Sequence, residues 1–273
     1  MSEIRSIRLN SGHDIPRLGL GVFRAARGEE TQGAVREALR LGYRHIDTAR
    51  VYGNERDVGA AIRASDVPRA DVFVTTKLWN DDQGFDSALR AFDASLGRLG
   101  LDAIDLYLLH WPVPGRRLES WRALERLAAE GRARSIGVSN FMPHHIEELL
   151  AHAHVVPAVN QIEVSPFLQQ RDVRALCAAN GIAVEAYSPL TKAARLAHPV
   201  IVDVARALQR TPAQVLIRWS LERDMIVLPK STRPERIAEN AAVFDFAFTP
   251  ELLARLDALE EGLVTGWDPR SQP

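Results

Sequence analysis

The sequence has little of what marks several common classes of protein. Its 273 residues include one cysteine, Cys177, so no internal disulfide can form and a reducing cytoplasm is the expected location. Cys177 lies in the run from Ala175 to Ala179, which predicts a buried, inert thiol. No apolar run reaches membrane-spanning length, and Met1 to Leu9 lacks the apolar core of a secretory signal. The formal net charge is −1 with Lys and Arg dispersed, so there is no basic footprint for nucleic acid. A complete Gly-x-Gly-x-x-Gly fingerprint is also missing. Gly19 and Gly21 supply half of it, Arg24 stands where the third glycine belongs, and no helix opens there, which disfavours an open dinucleotide-binding sheet. A small molecule is the expected partner.

What is present is a long, evenly apolar chain. At 46% apolar residues and with no linker, residues 1–273 are expected to form one large core in a single domain. Ile4, Ser6 and Arg8 alternate with Arg5, Ile7 and Leu9 before Asn10 to Gly12 turns the chain back toward Asp14 to Pro16, a hairpin signal. Short apolar strands then alternate with segments of helical period. Thr31 to Leu41 and Asp86 to Leu99 each place apolar residues on one face, and Thr211, Pro212 and Gln214 form a capping-box pattern. Strand ends are expected at Gly21, Asp47, Lys77, His110, Asn140, Gln161, Tyr187 and Lys230, spaced mostly by roughly twenty to thirty-five residues. That pattern predicts an α/β fold, a (β/α)8 TIM barrel with an N-terminal β-hairpin, whose carboxyl ends carry the chemistry.

The stretch from Gly42 to Gly59 organises this rim. A strand from Tyr43 to Ile46 runs into Asp47, and Tyr52 follows in a short loop before a helix starting near Glu55. An unaided phenol titrates near about 10, so a tyrosine acting as proton donor at neutral pH needs a nearby cation to make its phenolate less costly. Val72 to Thr76 runs into such a cation at Lys77, and Ile104 to Leu109 runs into His110. Taken singly, Lys77 and Asp47 read equally well as a structural ion pair, Tyr52 as a loop aromatic and His110 as a core histidine. Together they form an acid–base constellation.

The motif from Gly42 to Gly59, the segment Ile136-Gly-Val-Ser-Asn-Phe141, and Leu228-Pro-Lys-Ser-Thr-Arg-Pro-Glu-Arg236 with Asn240 beyond it resemble, in that order, the three motifs of the aldo-keto reductases. The likeness covers nearly the whole chain and extends to short-looped bacterial members such as the 2,5-diketo-D-gluconate reductases. It implies a monomeric enzyme that reduces a carbonyl with NADPH, needing no metal. Tyr52 would be the general acid, Lys77 the cation lowering its pKa, Asp47 the counter-charge holding the lysine, and His110 a neutral donor to the carbonyl. Ser139, Asn140 and Gln161 would hold the nicotinamide carboxamide, and Tyr187 would stack on the ring. Gly21, Val22 and the turn Ser188, Pro189 and Leu190 would line the cofactor. Thr232 and Glu235 fit a helix capping box, which would put Lys230, Ser231 and Thr232 at a phosphate site completed by Arg236, with Glu239 and Asn240 beside the adenine.

Trp79 and Trp111 stand just past strand ends and, with Phe23, are expected to wall an apolar substrate cavity. The connections from Pro112 to Ser120 and from Thr191 to His198 are short and the tail ends soon after Trp267, which suggests an open pocket for small aldehydes, dicarbonyls or keto sugars. Two other functions compete. His144, His145, His152 and His154 invite a metal-assisted hydrolase, although imidazoles near a helix end are satisfied by its dipole and by solvent. A non-catalytic nucleotide sensor would keep the cofactor site but has no need of a tuned proton donor.

Overall fold

The computed structural model describes residues 6–272. Ile4 and Arg5 of the predicted hairpin lie outside these residues. Strands β1 (Ser6–Arg8) and β2 (Asp14–Pro16) pair antiparallel, and Gly12 supplies the positive φ that the turn between them requires.

Eight parallel strands follow in chain order: β3 (Leu20–Gly21), β4 (His45–Asp47), β5 (Phe73–Leu78), β6 (Ile104–Leu109), β7 (Ala133–Ser139), β8 (Val159–Glu163), β9 (Ala183–Tyr187) and β10 (Ile226–Leu228). Parallel bridges from Leu18 to Val227 and from Gly21 to Lys230 join the first barrel strand to the last and close the ring. Among the described residues, ten α-helices lie between and after the strands: α1 (Glu29–Arg40), α2 (Glu55–Arg63), α3 (Phe85–Leu99), α4 (Arg117–Ala129), α5 (Pro143–His152), α6 (Arg171–Ala179), α7 (Pro199–Leu208), α8 (Pro212–Glu222), α9 (Pro234–Ala241) and α10 (Pro250–Asp257). This is the (β/α)8 barrel with a leading hairpin that the alternation of strand and helix patterns predicted.

Two apolar cores follow from strand alternation. The larger lies between the sheet and the helices, joining residues such as Val35, Val58, Phe92, Leu124, Ile146 and Trp219 to outward-facing strand residues such as Ile46, Val74 and Tyr107. The smaller fills the lower barrel interior. There Leu9 and Ile15 of the hairpin meet Phe73, Leu106, Leu108, Ala158, Val159 and Ile226, so the hairpin is the barrel's floor. Each fully buried Leu or Ile of this kind contributes about 1.5–3 kcal/mol of transfer free energy.

One close approach depends on a missing side chain. Gly59 of α2 faces the end of α3 so tightly that a Cβ there would meet the Leu99 carbonyl oxygen, which fixes how α2 lies behind Tyr52. The capping box at α8 forms as expected: the Thr211 hydroxyl accepts from Gln214 N at 3.2 Å and the Gln214 side chain accepts from Thr211 N at 3.0 Å. Cys177 is fully buried, and burial pushes its thiol up to about 11, away from thiolate chemistry. Among the described residues no helix is long and apolar enough to cross a membrane.

Candidate active site

Asp47 ends β4, and Lys77 occupies the penultimate position of its neighbour β5, so both side chains enter the upper barrel from adjacent strands. Lys77 is wholly buried, and its Nζ donates to both Asp47 oxygens at 2.8 and 2.7 Å, to the Thr48 carbonyl at 2.9 Å and to the Tyr52 hydroxyl at 3.3 Å. Tyr52 arrives on a 3-10 turn, Arg50–Tyr52, that ends at Gly53 with φ 73°. The buried Asn54 ties this turn to its surroundings, donating to the Val22 carbonyl at 3.0 Å and accepting from the Thr48 hydroxyl at 2.8 Å. The first motif therefore carries its own brace as well as its acid and phenol.

His110 follows β6, its ring centroid 5.8 Å from that of Tyr52 and 5.3 Å from that of Trp79. Burial, and then the Lys77 charge, hold its imidazole well below its ordinary pKa, so it is neutral. Burial pushes the Tyr52 phenol up and Lys77 pulls it back. Burial wins, and the phenol sits above its ordinary value. Lys77 thus makes the phenolate less costly, as expected, than burial alone would, and the phenol keeps its proton at neutral pH. Burial pushes the Lys77 ammonium down, but its acidic neighbours, the Asp47 carboxylate first, more than offset this, and it stays charged.

The remaining predicted residues ring the same end. Ser139 and Asn140 close β7; Asn140 takes up the left-handed conformation with φ 64° and donates to the His110 carbonyl at 2.9 Å. The Tyr187 hydroxyl, at the end of β9, donates to Asn140 Oδ1 at 2.8 Å, and the Ser139 hydroxyl donates to the Gln161 carbonyl at 2.8 Å. Gln161 lies deeper, its amide nitrogen donating to Asp47 at 2.9 Å and to Glu185. Gly21 and Val22 are buried where β3 meets this rim, and Val22 N donates to the Asp47 carbonyl at 3.1 Å. Beyond Tyr187, Ser188 has φ 50° and leads through Pro189 and Leu190 into a connection where Thr191, Lys192 and Ala193 also have positive φ.

The last motif differs from expectation in one respect. Thr232 does not cap a helix: α9 begins at Pro234, Arg233 is its N-cap, and no side chain caps it. Proline fixes the first helical position and holds Arg233 extended at φ −94° and ψ 122°, which leaves Thr232 outside the helix. The Ser231 hydroxyl accepts from Arg233 N at 3.1 Å. Lys230 and Arg236 are exposed on either side of the α9 N-terminus, with Thr232 half-buried between them. Glu239 accepts from the Thr211 hydroxyl, so part of its role is to tie α9 to α8, and Asn240 is buried. This donor set fits a nicotinamide dinucleotide phosphate: hydroxyl and amide groups cluster at the barrel mouth, while an exposed lysine and arginine flank a helix N-terminus suited to phosphate.

Around the mouth, Phe23 packs on Tyr52 with centroids 4.9 Å apart, and Trp79 and Trp111 line the other side. Sequence reasoning missed a further wall. Despite its shortness, the tail reaches the mouth, where the Trp267 ring lies 6.3 Å from Trp79 and 5.6 Å from Trp111. Its anchor is Glu163 at the end of β8, whose carboxylate accepts from the backbone of Thr265 at 2.9 Å and of Gly266 at 3.2 Å and from the Thr265 hydroxyl. A tryptophan in an otherwise polar tail was the available signal. Glu185 was missed too, although a carboxyl in the apolar run from Ala183 to Tyr187 marks it. The metal-suggesting histidines lie elsewhere. His144 and His145 face the Gln272 carbonyl at 3.1 Å, and His152 faces the Glu148 carbonyl at 2.9 Å. Among the described residues no group of His, Cys, Asp or Glu is placed to hold a metal ion.

Fold and site together define a barrel oxidoreductase in which Asp47, Lys77 and His110 stand at the ends of neighbouring strands, with Tyr52 beside them on a 3-10 turn. The chain belongs to the Aldo/keto reductase family, whose family model matches residues 17–261. It is 50% identical over 279 residues to morphine 6-dehydrogenase of Pseudomonas putida, covering 97% of this chain and 94% of that protein. It is 44% identical over 264 residues to glyoxal reductase of Bacillus subtilis, with 97% and 96% covered. The crystal structure of a Bombyx mori aldo-keto reductase in complex with NADP superimposes with a TM-score of 0.91 at 38% identity, covering 97% of this chain and 95% of that one.

Proposed function

We propose that this protein reduces small aldehydes and ketones, among them dicarbonyls and keto sugars, to alcohols with NADPH, and that Tyr52 is the general acid. One observation carries this reading: the buried Lys77 ammonium touches the Tyr52 hydroxyl and both oxygens of Asp47 at the barrel's catalytic end. Family membership and the NADP complex of the Bombyx mori relative support the cofactor, and the glyoxal reductase relative supports a small dicarbonyl substrate. Morphine 6-dehydrogenase of Pseudomonas putida supports the same kind of chemistry, and Trp267 beside Trp79 and Trp111 adds an aromatic wall at the mouth against which a small carbonyl would pack.

When bound, NADPH would supply the hydride that carbonyl reduction needs. Tyr52 gives its proton to the carbonyl oxygen as negative charge develops there, and Lys77 stabilises the phenolate left behind. Asp47 keeps the ammonium charged and fixed. Neutral His110 donates to the same oxygen and so orients the substrate. Ser139, Asn140 and Gln161 would hold the carboxamide, Tyr187 would pack on the ring, and Lys230, Ser231, Thr232 and Arg236 would take the phosphate that distinguishes NADPH from NADH.

The test is a panel of small carbonyls assayed with each dinucleotide, using wild type and Tyr52→Phe. Wild type should oxidise NADPH with at least one small aldehyde, and the variant should bind NADPH normally while turnover falls by about a hundredfold or more. NADPH binding without turnover across the panel would make the protein a sensor, and full turnover by the variant would remove Tyr52 from its role.

A further inference from the structure

Glu185 sits fully buried in β9, inside the barrel behind the Asp47–Lys77 pair. The Gln161 amide nitrogen bridges the two carboxyl groups, donating to Asp47 Oδ2 and to Glu185 Oε2. The second Glu185 oxygen has no hydrogen-bond partner among the described residues and lies 3.6 Å from His45 Nε2 on β4. That imidazole is no counter-ion, because burial drives its pKa down to about 3, and its Nε2 already faces the Thr75 hydroxyl of β5 at 3.0 Å. Lys77, the cation of this layer, is committed to Asp47, Thr48 and Tyr52. On the other side, β10 sets the apolar Ile226 beside Glu185.

A carboxylate in this position would be a buried charge without a cation of its own, close to a like charge. Burial, reinforced by Asp47, pushes the Glu185 carboxyl up to about 8. At neutral pH it is a neutral acid whose carbonyl oxygen accepts from Gln161.

We propose that Glu185 is a positioning residue for carbonyl reduction: through Gln161 it fixes the Asp47 carboxylate against Lys77, and its protonation state sets how strongly that pair favours the Tyr52 phenolate. The inference rests on the reading of Tyr52 as proton donor. With Glu185 neutral, Lys77 and Asp47 cancel and the ammonium is free to stabilise a new negative charge on Tyr52. When Glu185 loses its proton to solvent, a second negative charge faces Lys77 and the phenol. That charge pushes Tyr52 up and makes it a poorer donor. Reduction should therefore weaken on the alkaline side because of a residue that never touches substrate.

The pH profile of kcat separates this from a packing role. Glu185→Gln keeps a carbonyl acceptor for Gln161 and is neutral at every pH. Its kcat at pH 7 should lie within about threefold of wild type, and it should lack the several-fold fall through an inflection near pH 8 that is expected of wild type. Glu185→Leu keeps the volume but strands one Gln161 hydrogen, and should lower kcat at pH 7 by about tenfold or more. Infrared difference spectra of wild type against Glu185→Gln need no turnover and still apply if the leucine variant fails to fold. They should show a protonated carboxyl at pH 7 that is lost near pH 8. A Glu185→Gln profile superimposable on wild type, an ionised Glu185 at pH 7, or unchanged kcat in folded Glu185→Leu would each overturn the proposal. Failure of the Tyr52 reading looks different, since Tyr52→Phe would then retain turnover.

Discussion

The Lys77 ammonium grips both oxygens of the Asp47 carboxylate, at 2.8 and 2.7 Å, with neither side chain open to solvent. Removing one partner of such a buried pair strands the other. Lys77→Met should therefore destabilise the protein by about 3–5 kcal/mol in urea denaturation and abolish turnover. A double variant, Lys77→Met with Asp47→Leu, should regain much of the stability and none of the activity. If the single variant unfolds at the wild-type urea concentration, the pair is not the buried charge couple described.

Arg236 stands exposed beside the α9 N-terminus, where its planar fork of donors suits a phosphate. A charge-assisted hydrogen bond contributes about 1.5–3 kcal/mol, so Arg236→Ala should weaken NADPH binding by roughly tenfold to a hundredfold. NADH, lacking the phosphate, should bind almost as before. Fluorescence titration with both dinucleotides checks this, and equal losses for the two would place Arg236 elsewhere in the cofactor site.

Glu163 fastens the tail that lays Trp267 over Trp79 and Trp111. Glu163→Ala should free this segment and make Trp267 more accessible to acrylamide quenching, read against a Trp267→Phe control. Because Trp267 meets the wall residues Trp79 and Trp111, KM for the carbonyl should rise severalfold while kcat changes little. A fall in kcat with unchanged KM would count against a purely substrate-facing role for Trp267.

The buried carboxyl of Glu185 also makes a thermodynamic prediction. Its folded pKa of about 8 lies above the ordinary 4.5, so over that window the folded protein keeps a proton that the unfolded chain releases. Stability from this residue is complete below pH 4.5, declines as pH rises, and is gone above about pH 8. Glu185→Gln removes the dependence and should gain on wild type between pH 5 and 7 by roughly 2–4 kcal/mol. His45 and His110 act oppositely, their depressed pKa values costing stability as pH falls below 6.5, but both proteins share that slope. Urea midpoints for the two proteins at several pH values give the comparison, and parallel curves would refute it.

The barrel and its rim were legible because the information is local. Apolar strand bodies running into Asp47, Lys77 and His110 mark both a strand and what stands at its end, and Thr211 with Gln214 announces a helix start that forms as written. Local reading failed where two local rules competed. Thr232 and Glu235 match a capping box, but Pro234 sets the helix start later and leaves Thr232 outside. It stops where the outcome depends on which distant groups arrive: Lys77 lowers the Tyr52 phenol as expected, but the burial that the whole upper barrel imposes raises it further.

The order of residues along the chain thus determined the repeated strand-and-helix units, the strands that Asp47, Lys77 and His110 would end, and the family, since periodicity and short motifs are properties of neighbours in sequence. Only the closed barrel decided the rest. It brought Glu185 behind Asp47 through Gln161, turned the tail so that Trp267 covers the mouth, and set the proton affinities of Tyr52, His110 and Glu185. Burial and the distances between charges are sums over strands far apart in sequence, and they acquire values only when the ring closes.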